Sequence, residues 1–160
     1  MMNRSNKELA LLVYENQPVL AGGRAVCDQI LRASGREAGF CMDMWSYNML
    51  SQPSLQELVA NEFFLARFVV VASATGMPLP PAAAWLMESC MAKNAGFQRG
   101  LVLCVSRTHP DAPGYEIEQQ LRVISARAEA RYWRLPMGLA GGPDDVPRLG
   151  AAIFAALHFT

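Results

Sequence analysis

Three short groups of residues carry the side chains and backbone freedom that ligand chemistry needs. Gly22, Gly23 and Arg24 stand just before an apolar helical pattern. There, free backbone N–H groups, a helix dipole and a guanidinium would favour an anion. A plain glycine turn fits the same residues. Ser73, Thr75 and Gly76, within "VVVASATGMPLPP", offer two hydroxyls and a close backbone approach to a ligand, or else the hydrogen bonds that finish a strand and cap a turn. Ser106, Arg107 and His109 form the third group, and no spacing places an acid beside the imidazole. Glu15 reads as a metal carboxylate or as a partner for Arg24, although one acid alone does not hold Mg²⁺.

No catalytic signature joins these groups. The glycine pair is not GxGxxG and lacks the lysine and hydroxyl of a Walker loop, and no GxSxG is present. His109 and His158 are far apart, without a zinc-binding spacing. Cys27, Cys41, Cys90 and Cys104 include no CxxC pair and sit among apolar neighbours, which reads as reduced, buried thiols. Trp45, Trp85 and Trp133 have the shape to stack on a planar ligand, but packing in a core or an interface is their ordinary use.

Charge removes two classes of partner. Fourteen basic and fourteen acidic residues give a formal net charge of zero, with no basic block, so neither a nucleic acid nor an anionic membrane surface is expected. An apolar fraction of 52% is high for 160 residues and points to surface left for a protein partner or a homodimer. The longest strongly apolar segment, 63–74, is broken by Arg67 and is too short to span a bilayer. The apolar patch near the N-terminus is too short for a secretory core, so a cytoplasmic location is expected.

The elements that must hold these groups alternate regularly. Apolar or β-branched runs at 9–14, 40–45, 68–72, 101–105 and 131–135 read as strands, the second and fifth more polar and so nearer the sheet edges. Between them lie helical patterns. The first carries Val26, Ile30 and Ala33 and stops at Ser34 and Gly35; the second starts from a capping box of Ser54 and Glu57. The third begins at Pro80 and Pro81, and the fourth carries Ile117, Leu121, Ile124 and Ala128. Asp144 or Asp145 would cap a last helix with Leu149, Ile153, Ala156 and Leu157 inside.

Right-handed crossovers between parallel strands then give a three-layer α/β/α sandwich over residues 1–160. Its five-stranded parallel sheet takes the order 2-1-3-4-5. In such a sheet ligands bind beyond the carboxyl ends of the strands, beside the switch point between strands 1 and 3. That places loops 15–23, 73–81 and 106–114 at the candidate site.

Two stretches carry a family resemblance. "VVVASATGMPLPPAAAWLMES" sets an apolar strand, a polar glycine-containing loop, prolines and an aromatic-bearing helix in sequence, and "GLVLCVSRTHPDAPGYEIEQQLRVISARAEARYWRLP" continues through strand 4, a loop, a helix with Gln120, Leu121 and Arg122, and strand 5. The pattern resembles the flavodoxin-like superfamily, in particular its NAD(P)H-dependent FMN reductase branch. The resemblance implies an FMN phosphate on a hydroxyl-rich loop after strand 1 and the flavin ring between the loops after strands 3 and 4. On this chain Gly22, Gly23 and Arg24 would take the phosphate, while Ser73, Thr75, Gly76, Ser106 and His109 would flank the ring. The first loop, "ENQPVLAGGRA", contains no Ser or Thr and is a degenerate form of that phosphate loop.

Receiver domains share the architecture, but Ser73 and Ala74 stand where their phosphoacceptor aspartate ends strand 3, and no lysine is near Leu135. The expected function is therefore a non-catalytic flavodoxin-like or receiver-like binding module. The alternative is an FMN-binding protein or NAD(P)H-dependent flavin reductase, in which the cofactor carries the hydride chemistry.

Overall fold

The computed structural model describes residues 7–34, 39–94, 99–106 and 115–137. Its elements run β1 (Glu8–Tyr14), α1 (Gln17–Ser34), β2 (Phe40–Ser46), α2 (Tyr47–Leu50), a 3-10 turn (Pro53–Leu55), α3 (Gln56–Leu65), β3 (Ala66–Ser73), α4 (Pro81–Ala92), β4 (Gly100–Ser106), α5 (Tyr115–Ala128) and β5 (Arg131–Met137). The strands form one parallel five-stranded sheet in the order β2-β1-β3-β4-β5, as the alternation of apolar runs and helical patterns requires. The expected last helix and His109 lie outside the described residues.

Period-two alternation divides the strand side chains between two cores. Leu11, Val13, Val69, Val71, Leu101 and Leu103 face the layer built by α3, α4 and α5, where they meet Phe63, Met87, Met91, Ile117 and Leu121. Ala10, Leu12, Val70, Ala72, Val102 and Cys104 face the other way and pack with Val26, Cys27 and Ile30 of α1. Each fully buried Leu, Val or Ile is worth about 1.5–3 kcal/mol relative to exposure. The edge positions of β2 and β5 are confirmed by the strand order, and their sequences fit it: Asp43 lies in β2, and Arg131 and Arg134 are exposed on β5.

Two helix starts differ from the sequence expectation. Helix α1 begins at Gln17, not after Gly23, because Pro18 is tolerated in a first helical turn whose N–H groups have no partner within the helix. The Ser54–Glu57 capping box does not form. Ser54 sits in the 3-10 turn, and α3 starts from Leu55 without a side-chain cap. It is Ser46 that caps a helix, its hydroxyl accepting the Met49 N–H at 3.1 Å to start the one-turn α2.

Arg99, 1% exposed, closes the opposite end of the sheet from the candidate loops. Its guanidinium donates to the Phe63 carbonyl at 2.8 Å and the Phe64 carbonyl at 3.2 Å, which are among the last carbonyls of α3, and to the Asn94 carbonyl at 3.3 Å. Burial, with Arg67 nearby, lowers its pKa to about 10. All four cysteines are free thiols. Burial raises Cys104 to about 12 and holds Cys27 well above the usual thiol range, so both stay protonated and unreactive. Among the described residues, no helix is long and apolar enough to cross a membrane.

At Gly23, α1 packs closely against the sheet. A Cβ there would stand 2.8 Å from the Ala72 Cβ and 2.9 Å from Leu12 Cδ1, and the Ala72 Cβ has no rotamer with which to give way. Gly23→Ala is expected to lower stability by about 1–3 kcal/mol through overpacking, despite the higher helix propensity of alanine. Urea unfolding of the two proteins measures the difference, and an unchanged or raised midpoint would show that α1 is free to shift.

Candidate site at the carboxyl edge of the sheet

Strand register alone brings three chemically able residues together. Tyr14 lies opposite Ser46 on one side and Ala72 on the other, so the next residues of the three strands, Glu15, Tyr47 and Ser73, emerge side by side at the carboxyl edge. The Glu15 N–H donates to the Ala72 carbonyl at 3.0 Å, which extends the β1–β3 pairing by one residue and fixes the carboxylate over the loop after β3.

That carboxylate gathers the loop around itself. Ser73 Oγ donates to Glu15 Oε1 at 3.3 Å, the Ala74 N–H at 3.1 Å and the Thr75 N–H at 3.3 Å. Thr75 Oγ1 lies 3.1 Å from both carboxylate oxygens. Two backbone amides and two hydroxyls thus converge on one anion, and hydrogen bonds to an ionised acceptor are stronger than neutral ones. A second tier holds the donors: Gly76 N–H donates to Ser73 Oγ at 2.9 Å, and Met77 N–H to Thr75 Oγ1 at 3.2 Å. Gly76 adopts a φ of 80°, which a side-chain-bearing residue takes only with strain.

Helix α5 secures the far side of the loop. The Ile117 N–H donates to the Gly76 carbonyl at 3.1 Å, and Gln120 Oε1 accepts the Leu79 N–H at 2.7 Å. Leu79 is buried, and the chain then enters α4 through Pro80 and Pro81 as the sequence implies. Tyr47, 7% exposed, lies beneath this cluster with its hydroxyl in no hydrogen bond of good geometry. Burial first, and then the neighbouring Glu15 carboxylate, raise the pKa of the phenol well above its usual value, while Ser73 opposes the shift.

The structure sorts the sequence-derived candidates. Ser73, Thr75 and Gly76 come together in one loop. Ser106 closes β4 one strand away, with its neighbour Val105 paired to Ser73. Gly22, Gly23 and Arg24 do not form a loop, which corrects that expectation: they lie inside α1, past the four leading positions whose N–H groups are free to meet an anion. The connection from β1 to α1 is only Glu15 and Asn16. Glu15 turns to the β3 loop instead of to Arg24. Tyr47 and Gln120 were not among the sequence candidates; only the strand register and the packing of α5 expose them. Trp85 belongs to no core, being 67% exposed on α4, and Met77 in the loop is 59% exposed.

The raised phenol pKa gives a signed pH dependence. Tyr47 stays neutral in the folded protein above pH 10.0, where the unfolded chain ionises, so the stability it supplies is complete below that pH and declines as the pH climbs beyond it. Tyr132 shares this trend because burial also raises its pKa. Tyr47→Phe should reduce the alkaline loss of stability without abolishing it, measured by urea midpoints between neutral and strongly alkaline pH. Parallel profiles for the two proteins would contradict the assignment.

No protein-family model matches the sequence. No curated protein matches it either. Solved structures do. An oxidoreductase from Corynebacterium diphtheriae aligns with a TM-score of 0.59 at 12% identity, covering 95% of each chain. A short-chain flavodoxin associated with a bacterial microcompartment aligns at 0.56 and 12% identity, over 94% of this chain and 96% of that one. A cysteine-to-serine mutant of flavodoxin from Pseudomonas aeruginosa gives 0.56 at 16% identity, over 94% and 99%. With its parallel sheet in the order 2-1-3-4-5, this chain has the flavodoxin-like fold.

Proposed function

We propose that this protein is a non-catalytic flavodoxin-like binding module that takes a protein partner, or a second copy of itself, instead of a flavin. One observation carries the reading: the Glu15 carboxylate occupies the amides and hydroxyls of Ser73, Ala74 and Thr75. An internal anion at the switch point both uses up those donors and repels a phosphate placed nearby. The two-residue connection after β1 supports the same reading, since it leaves no length for a phosphate-cradling loop ahead of α1. The exposed Met77 and Trp85 supply apolar surface of the kind protein partners use.

The alternative draws on the solved flavodoxins of the same fold, and on Ser73, Thr75, Gly76 and Ser106 standing at the ends of neighbouring strands. On that reading FMN supplies the redox chemistry, and Ser73, Thr75, Gly76 and Ser106 flank its ring. Adding the purified protein in excess to FMN while following flavin fluorescence and absorbance separates the two. Unchanged flavin signals are expected. Yellow material on purification, or saturable quenching, would establish the flavin reading in its place.

A further inference from the structure

We propose that the loop of Ser73, Ala74, Thr75 and Gly76 is a carboxylate-binding site that this chain keeps closed with its own Glu15. Four donors on the loop, the Ala74 and Thr75 amides and the Ser73 and Thr75 hydroxyls, converge on an anion already present. Their arrangement does not depend on the backbone of Glu15, because Gly76, Met77, Ile117 and Gln120 hold the loop through separate hydrogen bonds. The site is therefore preorganised, and removing the internal ligand leaves donors that a planar carboxylate of outside origin satisfies.

A second observation points to a ligand. The Tyr47 hydroxyl, on a residue 7% exposed, lies beside Ser73 and Glu15 and makes no hydrogen bond of good geometry. The front is open: Thr75 is exposed and Glu15 only partly buried. Rotation of the Glu15 side chain, with its backbone still paired to Ala72, is enough to exchange one carboxylate for another. The ligand class is a carboxylate, whether free in solution or on an acidic side chain of a partner. An intramolecular carboxylate competes at high effective concentration, so the unmodified protein binds free carboxylates weakly.

Glu15→Ala tests this with acetate as probe. The variant should melt at a lower temperature than the parent, and acetate should restore it saturably with an affinity at least about tenfold above that of the parent protein. Chloride at equal ionic strength should do little. Adding Ser73→Ala and Thr75→Ala to Glu15→Ala should abolish the acetate response. The FMN titration is independent of this result, so failure of one does not count against the other. Should Glu15→Ala fold only with acetate, the proposal is supported. Should it fold in neither condition, Glu15→Ser takes the same titration. Absence of a saturable acetate response, an equal response in the parent, or failure of both variants to fold in acetate overturns the proposal. An acidic peptide that replaces acetate at lower concentration would assign the ligand to a partner chain, and acetate acting better than the peptide would assign it to a free carboxylate.

Discussion

The contact on which the carboxyl edge depends is the one between the Glu15 carboxylate and the loop that follows β3. Loops carry backbone groups that no sheet partner serves, and a reversal from strand to helix at a central position strands several N–H groups together. Here one anion satisfies the Ala74 and Thr75 amides and draws in two hydroxyls. The rest of the loop holds itself beside that contact: Ser73 accepts the Gly76 N–H, glycine takes the left-handed turn, and Leu79 returns to the core ahead of α4.

The same economy governs α1. Because β1 ends at Tyr14 and Glu15 is committed to the β3 loop, the helix starts almost at once, at Gln17. It then crosses the sheet where Leu12 and Ala72 stand, and only a residue without a side chain allows the contact. Glycine in a helix interior ordinarily costs about 1 kcal/mol against alanine. At Gly23 close packing offsets that loss, so one residue of a pair that resembles a phosphate loop in the sequence serves the interface between helix and sheet.

Most of the architecture was legible because burial writes a period into the chain. Runs such as Phe68 to Ala72 are buried on both faces and so continuously apolar, while Ile117, Leu121 and Ile124 repeat at the helical spacing. The misread helix starts have physical causes. Asn16, Gln17 and Pro18 are as suited to stopping a strand as to opening a helix, and a glycine pair looks the same whether it turns the chain or lets a helix approach a sheet. The capping box at Ser54 and Glu57 was locally sound but lost to the 3-10 turn begun by Pro53.

The sequence by itself determined the alternation of strands and helices, the parallel sheet and the address of the candidate site, because these follow from periodicity and from the handedness of crossovers. It also determined which loop would hold Ser73, Thr75 and Gly76. Only the tertiary structure decided what those residues hold. Glu15 and Thr75 are 60 positions apart, and Tyr47 opens α2 directly after a third strand, β2. Their meeting depends on the register of β1 against β2 and β3, a long-range property that no local pattern of residues encodes.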